Sequence, residues 1–507
     1  MRANLLLASL FALVSCAGAQ APETAGTTAA LAPEQWQAAT GADTADPAGA
    51  GVDAMWWQGF EDPRLDRLIE IALESNRDLR SAAARLDAAF AQARIAGAQL
   101  KPQAGLSVNG NRSRQNFIGL PIPGAEGGVL SNTSTSIGAV LNVSWEVDLW
   151  GRVRAGRDAA ESRAEAALFD LAGAGLSVSG QVAKAWFAFL ESASQVDLAA
   201  ETLDNRRRVR ERIERRYRSG LRTALELRLA ISNEENSAAV LAGRERLHDL
   251  TRRQLEALLA REPSALALLD EVESGTAELP DLPRPPMPDL PIDALRRRPD
   301  LRASESRLAA AGLDVAAARR MLYPQLTLTG STGRSSNQLE DLVESDFSIW
   351  SVAAGILQPL FQGGRLRAGV DLAKAGRRDL LARHEGAVIR AITDVEGQLA
   401  ADGLLASQYA ATKAATEAAT AARDLAENRY FAGLSDYLAV LAAEASATTA
   451  ASQLLDIERQ RLGQRVDLYL ALGGGLPLPP STEDNPGDPG RAVADLAEPA
   501  EDTEDLK

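Results

Sequence analysis

Every second residue from Ile137 to Leu149 is apolar (Ile137, Ala139, Leu141, Val143, Trp145, Val147, Leu149), and those between are small or polar except Val140. A period of two marks a strand with one oily and one wet face. At Gly151-Arg152 the spacing turns helical with no loop between, and it stays helical to about Arg218. A helix of that size is on the order of 100 Å long. It needs a partner along its whole length, since isolated helix is marginal in water. Ser219-Gly220 break it, and a second helix returns from about Thr223 to Arg261. A half-wet strand feeding a long helical hairpin does not suit an ordinary compact domain.

The plan occurs twice. Asn76-Arg77-Asp78-Leu79 returns as Arg298-Pro299-Asp300-Leu301, and Leu100-Lys101-Pro102-Gln103 as Leu322-Tyr323-Pro324-Gln325, both at a spacing of 222 (300 − 78, 324 − 102). Gly151-Arg152 returns as Gly364-Arg365, and Arg216–Gly220 as Arg429–Gly433, both at 213 (364 − 151, 433 − 220). The offset falls only between the strands, where loops vary. Each half therefore reads helix, strand, loop, strand, long helix, tight turn, helix. The first half opens at Asp62-Pro63, residues suited to a helix cap and first turn. Its helical pattern continues from Leu65 to about Lys101-Pro102, followed by a short strand at Leu106 and Val108 and a loop through PIPGAEGG. In the second half the strands fall at Gln325–Thr332 and Ser348–Leu360.

Flanking segments complete the division of the chain. Residues 1–16 read as a signal peptide, with Arg2 at the positive end and an apolar core too short to span a bilayer. The peptide ends in Leu13-Val14-Ser15-Cys16, similar to a bacterial lipobox whose cysteine is acylated; ordinary cleavage after Ala17-Gly18-Ala19 also fits. Residues 17–55 form a flexible tether, 56–277 the first repeat, 278–291 a Pro-rich connector, 292–480 the second repeat, and 481–507 an acidic disordered tail. With Cys16 the only cysteine, no internal disulfide or cysteine-based metal cluster is possible. His248 and His384 each lie in a charged helical stretch and read as solvated surface, so neither a metal nor another cofactor is expected. The net charge of −15 argues against a nucleic-acid partner.

Two halves give four strands. A lipid-spanning sheet must close, because open edges are unsatisfied in hydrocarbon, and the smallest closed barrels have about eight strands. This chain must share a barrel with its own copies or carry a soluble sheet. Trp145, Trp150 and Trp350 near strand ends favour a shared barrel with interfacial aromatics, core packing being the alternative.

From Trp56 to Leu476 the chain resembles the outer membrane factor (TolC) family, in particular its lipoprotein branch from drug-efflux systems. The resemblance rests on WWQGFEDPRLDRLIEIALESNRDL, WEVDLWGRVRA, RRRPDLRASESRLAAAGLDVAAARRMLYPQLTLTGS, PLFQGGRLRA, RYFAGLSDYLAVLAAE and LYLALGGG, in that order. It implies an α+β membrane protein: a long α-helical barrel plus four β-strands per chain, contributing to a trimeric 12-stranded outer-membrane β-barrel. It further implies a passive exit duct and no enzyme. The partners would be a periplasmic adaptor, an inner-membrane transporter and outer membrane lipid. The tips Arg218-Ser219-Gly220-Leu221-Arg222 and Ala432-Gly433-Leu434-Ser435-Asp436 match the family's adaptor-docking and closure region. Before the first tip, NRRRVRERIERRYR reads equally as a solvated face with i to i+4 pairs and as an electrostatic docking surface. One departure stands out: Ala442 occupies the place of the family's pore-narrowing carboxylate. Asp436 and Glu444 are near it, but at 100° per residue neither points the same way. A wider or differently gated closed state is therefore expected. A polypeptide-secretion duct and a pore-free periplasmic coiled-coil scaffold are the competing readings.

Overall fold

A computed structural model describes residues 28, 30–37, 55–117, 130–262, 278–286 and 291–474. The signal peptide, Cys16, the PIPGAEGG loop and the acidic tail lie outside the described residues. In chain order the elements are α1 (Pro63–Ser75), α2 (Arg77–Ala98), β1 (Gln103–Phe117), β2 (Leu130–Val147), α3 (Arg152–Arg218) and α4 (Ala224–Leu258). They recur as α5 (Pro291–Arg297), α6 (Pro299–Arg320), β3 (Gln325–Ser336), β4 (Ser348–Leu357), α7 (Arg365–Phe431) and α8 (Tyr437–Ala471). Both long helices have 67 residues and both returning helices 35, so the hairpins match turn for turn.

The chain divides into two compact units, each drawing on both halves of the sequence. The first holds the sheet, with strand order β1-β2-β3-β4 and every neighbouring pair antiparallel. Strands β2 and β4 each lead into a long helix through glycine at positive φ. Gly151 takes φ +75°, and Asp148 caps α3 by accepting from Val153 N at 3.0 Å and Arg154 N at 2.8 Å. Arg152 folds back onto Glu146 at 2.7 Å. At the second junction Gly363 and Gly364 take φ +58° and +86° instead.

The second unit holds the main core. Trp56, Trp57 and Phe60 pack with Trp186, Phe187 and Phe189 of α3 and Tyr469 of α8; the Trp56 and Tyr469 rings stack at 5.5 Å. Asp62 caps α1 by accepting from Arg64 N at 3.0 Å and also accepts from Trp186 Nε1 at 2.9 Å. At the connector, Arg465 reaches the Pro283 carbonyl and pairs with Asp402 at 2.8 Å.

Several sequence expectations are corrected. The leading helix is broken at Asn76, whose Oδ1 accepts from Asp78 N and Leu79 N at 2.9 and 3.2 Å and starts α2 afresh. Strand β1 is a full 15 residues because β2 pairs with it as far as Phe117–Leu130. Strand β2 begins at Leu130 and ends at Val147, while Pro291 is the first residue of α5 and not the end of the connector. The tether is not featureless: Trp36 is buried with Ala294, Val395 and Leu468, and Gln37 N donates to Glu396 Oε1 at 2.7 Å. Nor are the histidines plain solvated surface, although His248 is only half-buried. His384 is wholly buried between Thr28 Oγ1 at 3.1 Å and Ser304 Oγ at 2.7 Å, and His248 lies on the Phe189 ring with Ser192 Oγ 2.8 Å from Nδ1. Charged neighbours in sequence masked the inward position of His384.

Candidate channel wall and helix tips

The pairing register sorts the sheet into two chemistries. One face collects Leu106 and Val108 from β1, and Ile137, Ala139, Leu141, Val143, Trp145 and Val147 from β2. It continues through Leu326 and Leu328 of β3 to Trp350, Val352, Ala354 and Ile356 of β4. The other face carries Ser107, Asn109, Asn142, Ser144, Thr327, Thr329, Ser331 and Ser351. Its hydroxyls and amides bond across strands: Asn142 Nδ2 donates to Ser107 Oγ at 3.0 Å, and Ser331 and Ser351 meet at 2.8 Å. Val140 is an apolar exception on this face, as are Ile349 and Leu357 of β4; it lies opposite Gly333, where a Cβ would collide with the Ala139 carbonyl.

The apolar face is open in the single chain, Val352 being 80% and Trp350 78% exposed. From Ile137 to Val147 it spans about 33 Å of strand, or about 25 Å of height at the tilt usual in barrels. Arg112, Arg114 and Arg334 bound it at the loop end. The three tryptophans do not form one ring. Trp145 and Trp150 lie at the helix end of the sheet, their Nε1 groups donating to the Leu100 and Pro324 carbonyls at 3.0 and 2.7 Å. Trp350 lies toward the loop end of β4.

In the second unit the two tips are built alike. Gly220 and Gly433 take φ +74° and +78°, and Leu221 N and Leu434 N close the turns onto the Arg216 and Arg429 carbonyls at 2.8 and 2.9 Å. The next helices are capped at matching positions, α4 by Thr223 in a capping box with Glu226 and α8 by Asp436 through Ala439 N at 2.9 Å. The tips are also tied to each other. Arg222 lies 4.3 Å from the Tyr430 ring centre and donates to the Tyr430 carbonyl at 3.2 Å. Arg216 donates to the Phe431 carbonyl at 3.1 Å, and Arg212 lies over the Phe431 ring. Four leucines face outward beside the exposed Arg218 and Asp436: Leu221, Leu225, Leu434 and Leu438.

Much of the basic run is internally matched. Arg207 and Arg210 pair with Glu234, Arg208 with Asp204, and Arg218 with Glu214. Ser219 Oγ donates to the Arg215 carbonyl, Ala432 is exposed, and Ser435 Oγ is buried without a hydrogen-bond partner. Of the candidate gate residues, Asp436 is the exposed cap of α8, and Ala442 is exposed. Glu444 turns inward, 4% exposed, with Arg206 Nε 3.8 Å away. The exposed side of α8 beyond the tip reads Leu438, Ala439, Ala442, Ala445, Ser446 and Thr449, without a charge. Burial, with Glu444 beside it, pushes the Tyr437 hydroxyl up to about 12. Sequence reasoning missed the Glu146, Asp148 and Arg152 junction, although an acid shortly before a helix start is a cap signal.

Known proteins share this arrangement. The outer membrane efflux protein family model matches residues 68–261 and 290–474. The pyoverdine export outer membrane protein OpmQ of Pseudomonas putida is 34% identical over 87% of this chain and 92% of its own. The toluene efflux pump outer membrane protein TtgF of Pseudomonas putida is 32% identical over 83% of this chain and 85% of its own. Among solved structures, the open state of the MtrE outer membrane channel of Neisseria gonorrhoeae matches with a TM-score of 0.75 at 31% identity, over 88% of this chain and 96% of that one.

Proposed function

The chain belongs to the outer membrane efflux protein family, and from that premise we propose that it is the outer-membrane exit duct of a tripartite efflux system. It conducts small molecules passively from an inner-membrane pump and a periplasmic adaptor to the exterior. The observation that carries this reading is the sheet: four strands, one apolar and one polar face, and outer strands β1 and β4 each paired on one side only. Lipid accepts the apolar face and water the polar one, but lipid tolerates no open edge. Three copies supply the twelve strands of a closed barrel, β1 of one pairing with β4 of the next.

Helices α3 and α8 also have the length and composition of membrane spans. They are joined by an ion pair, Lys184 with Asp467, and Arg465 of α8 pairs with Asp402. Charges at such positions suit a water-bathed bundle and not a lipid-facing helix. The spanning segments are therefore the strands. Cys16 supplies a second, acyl anchor in the same membrane.

At the tips, exposed Leu221 and Leu434 and the guanidinium of Arg218 form the surface offered to the adaptor. The uncharged outer side of α8 leaves no acidic ring at Ala442, so closure depends on helix packing and not on a carboxylate constriction. The test is the purified protein in detergent: trimers by native mass measurement and discrete conductance steps in planar bilayers are expected. A monomer that stays soluble without detergent and never conducts overturns the reading.

A further inference from the structure

Glu444 lies on α8 about two turns past the tip. It is 4% exposed, yet neither carboxylate oxygen accepts a hydrogen bond from the protein. Buried carboxylates are as a rule hydrogen-bonded, because an ionised one loses its water otherwise. From α3, Arg206 Nε stands 3.8 Å from Oε2, within reach of attraction but too far for a hydrogen bond. That Nε is itself buried and unbonded, while Nη1 donates to the Asn233 carbonyl of α4 at 3.4 Å. The charges of α7 are divided: Glu427 accepts from Asn205 at 3.2 Å, and Arg423 is paired with Asp424. On α4, Glu234 is occupied by Arg207 and Arg210. On α8 itself, Tyr437 is hydrogen-bonded to Asn233. A cavity of about 150 Å³ adjoins the site, lined by Arg206, Asn236, Ser237, Thr448 and Ser452. Thr448 is one helical turn beyond Glu444, and Arg206 lines the cavity and faces the carboxyl.

We propose that Glu444 is a proton-binding latch: while its carboxyl holds a proton, α8 stays packed on α3 and α4 near the tips, and its ionisation loosens that packing and widens the duct. This rests on the channel reading above. Burial holds the Glu444 carboxyl above its ordinary range; Arg206 pulls it down and Glu427 pushes it further up. A group held high in the packed state binds its proton more tightly there than where it meets water. Acid therefore favours packing. The packed state loses stability as pH rises from the ordinary glutamate value of 4.5 through the raised one. A neutral Glu444 also needs no counter-charge, which fits the long, unbonded approach of Arg206.

The experiment is single-channel recording of the purified trimer between about pH 5 and about pH 8. Wild type is expected to conduct about threefold more at the upper end, with one titrating midpoint. Glu444→Gln, which keeps the shape of the protonated acid, is expected to stay at the low-conductance level at every pH. Arg206→Gln removes the charge that favours ionisation and is expected to move the midpoint up by about one pH unit; it decides the matter should Glu444→Gln not assemble. A flat wild-type profile, a Glu444→Gln channel that keeps the wild-type rise, or an unmoved midpoint in Arg206→Gln overturns the latch and leaves the channel standing. An absence of conductance from every protein at every pH overturns the channel and the latch together.

Discussion

Asn76 and Arg298 occupy equivalent places at the breaks between α1 and α2 and between α5 and α6, and they solve one problem with different chemistry. A returning helix ends with carbonyls that have no partner within it. Asn76 Nδ2 donates to the Leu258 carbonyl at the end of α4 at 3.0 Å, and Arg298 Nη1 donates to the Ala471 carbonyl at the end of α8 at 2.9 Å. Asn76 also caps α2, whereas Arg298 is fixed by Asp300 and Asp394 at 3.1 Å each. Asn76→Ala should lower stability by about 1–2 kcal/mol, the usual loss for a cap. Arg298→Ala should cost about 2–3 kcal/mol, because charged hydrogen bonds are lost as well. Urea titration of the detergent-solubilised trimer reads both, and equal stability in the two variants and wild type would show the joint to be ornamental. The break at Asn76 was hidden in the sequence for a physical reason. An asparagine in a continuous apolar rhythm looks like any polar surface residue, and its reason for being there is a carbonyl 182 residues away.

At the scale of the element, alternation is legible only where lipid imposes it. The oily half of β2 could be read from its own residues, and the register places it on one face with Leu328 and Val352. Beyond Val108, strand β1 reads Asn109 to Asn116 with no apolar residue, so nothing in it marks a strand. It continues because β2 supplies its hydrogen bonds, as in the pairs Arg112–Thr135 and Arg114–Thr133. Pairing partners are a property of two segments, and single-segment periodicity cannot show them. The two faces of β4 give a direct check. Val352→Arg puts a charge on the apolar face near mid-height and should cost about 2–4 kcal/mol of membrane insertion. Ser351→Arg, one residue away on the polar face, should insert normally and change only conductance. Heat-modifiable gel migration and bilayer recording of the two variants separate these outcomes. Equal insertion of both would mean that the face carrying Val352 does not meet lipid.

For the whole molecule, the deciding quantity is a count: four strands are too few to close, and the repeat in the sequence already implies it. What the count left open is how the assembly is held in its membrane, by Cys16 or by the barrel. Acylation contributes about 0.8 kcal/mol per buried methylene, and a single chain of that kind anchors only marginally. The barrel removes from water the apolar face running from Leu106 to Ile356 in every copy, at about 25 cal/mol for each Å² covered. Side chains such as Trp350, Val352 and Ile356, each more than 70% exposed in the lone chain, make that area large. The barrel should therefore dominate, and the acyl group proposed on Cys16 would assist delivery. Cys16→Ser removes the proposed acylation site but leaves Ala17-Gly18-Ala19 as a site for ordinary cleavage. That variant is expected in the outer-membrane fraction, extractable only with detergent, trimeric, and conducting as wild type does, although at reduced abundance. If it appears instead as a soluble periplasmic protein, the anchor and not the barrel holds the molecule, and the closed twelve-stranded wall is not what keeps this chain in lipid.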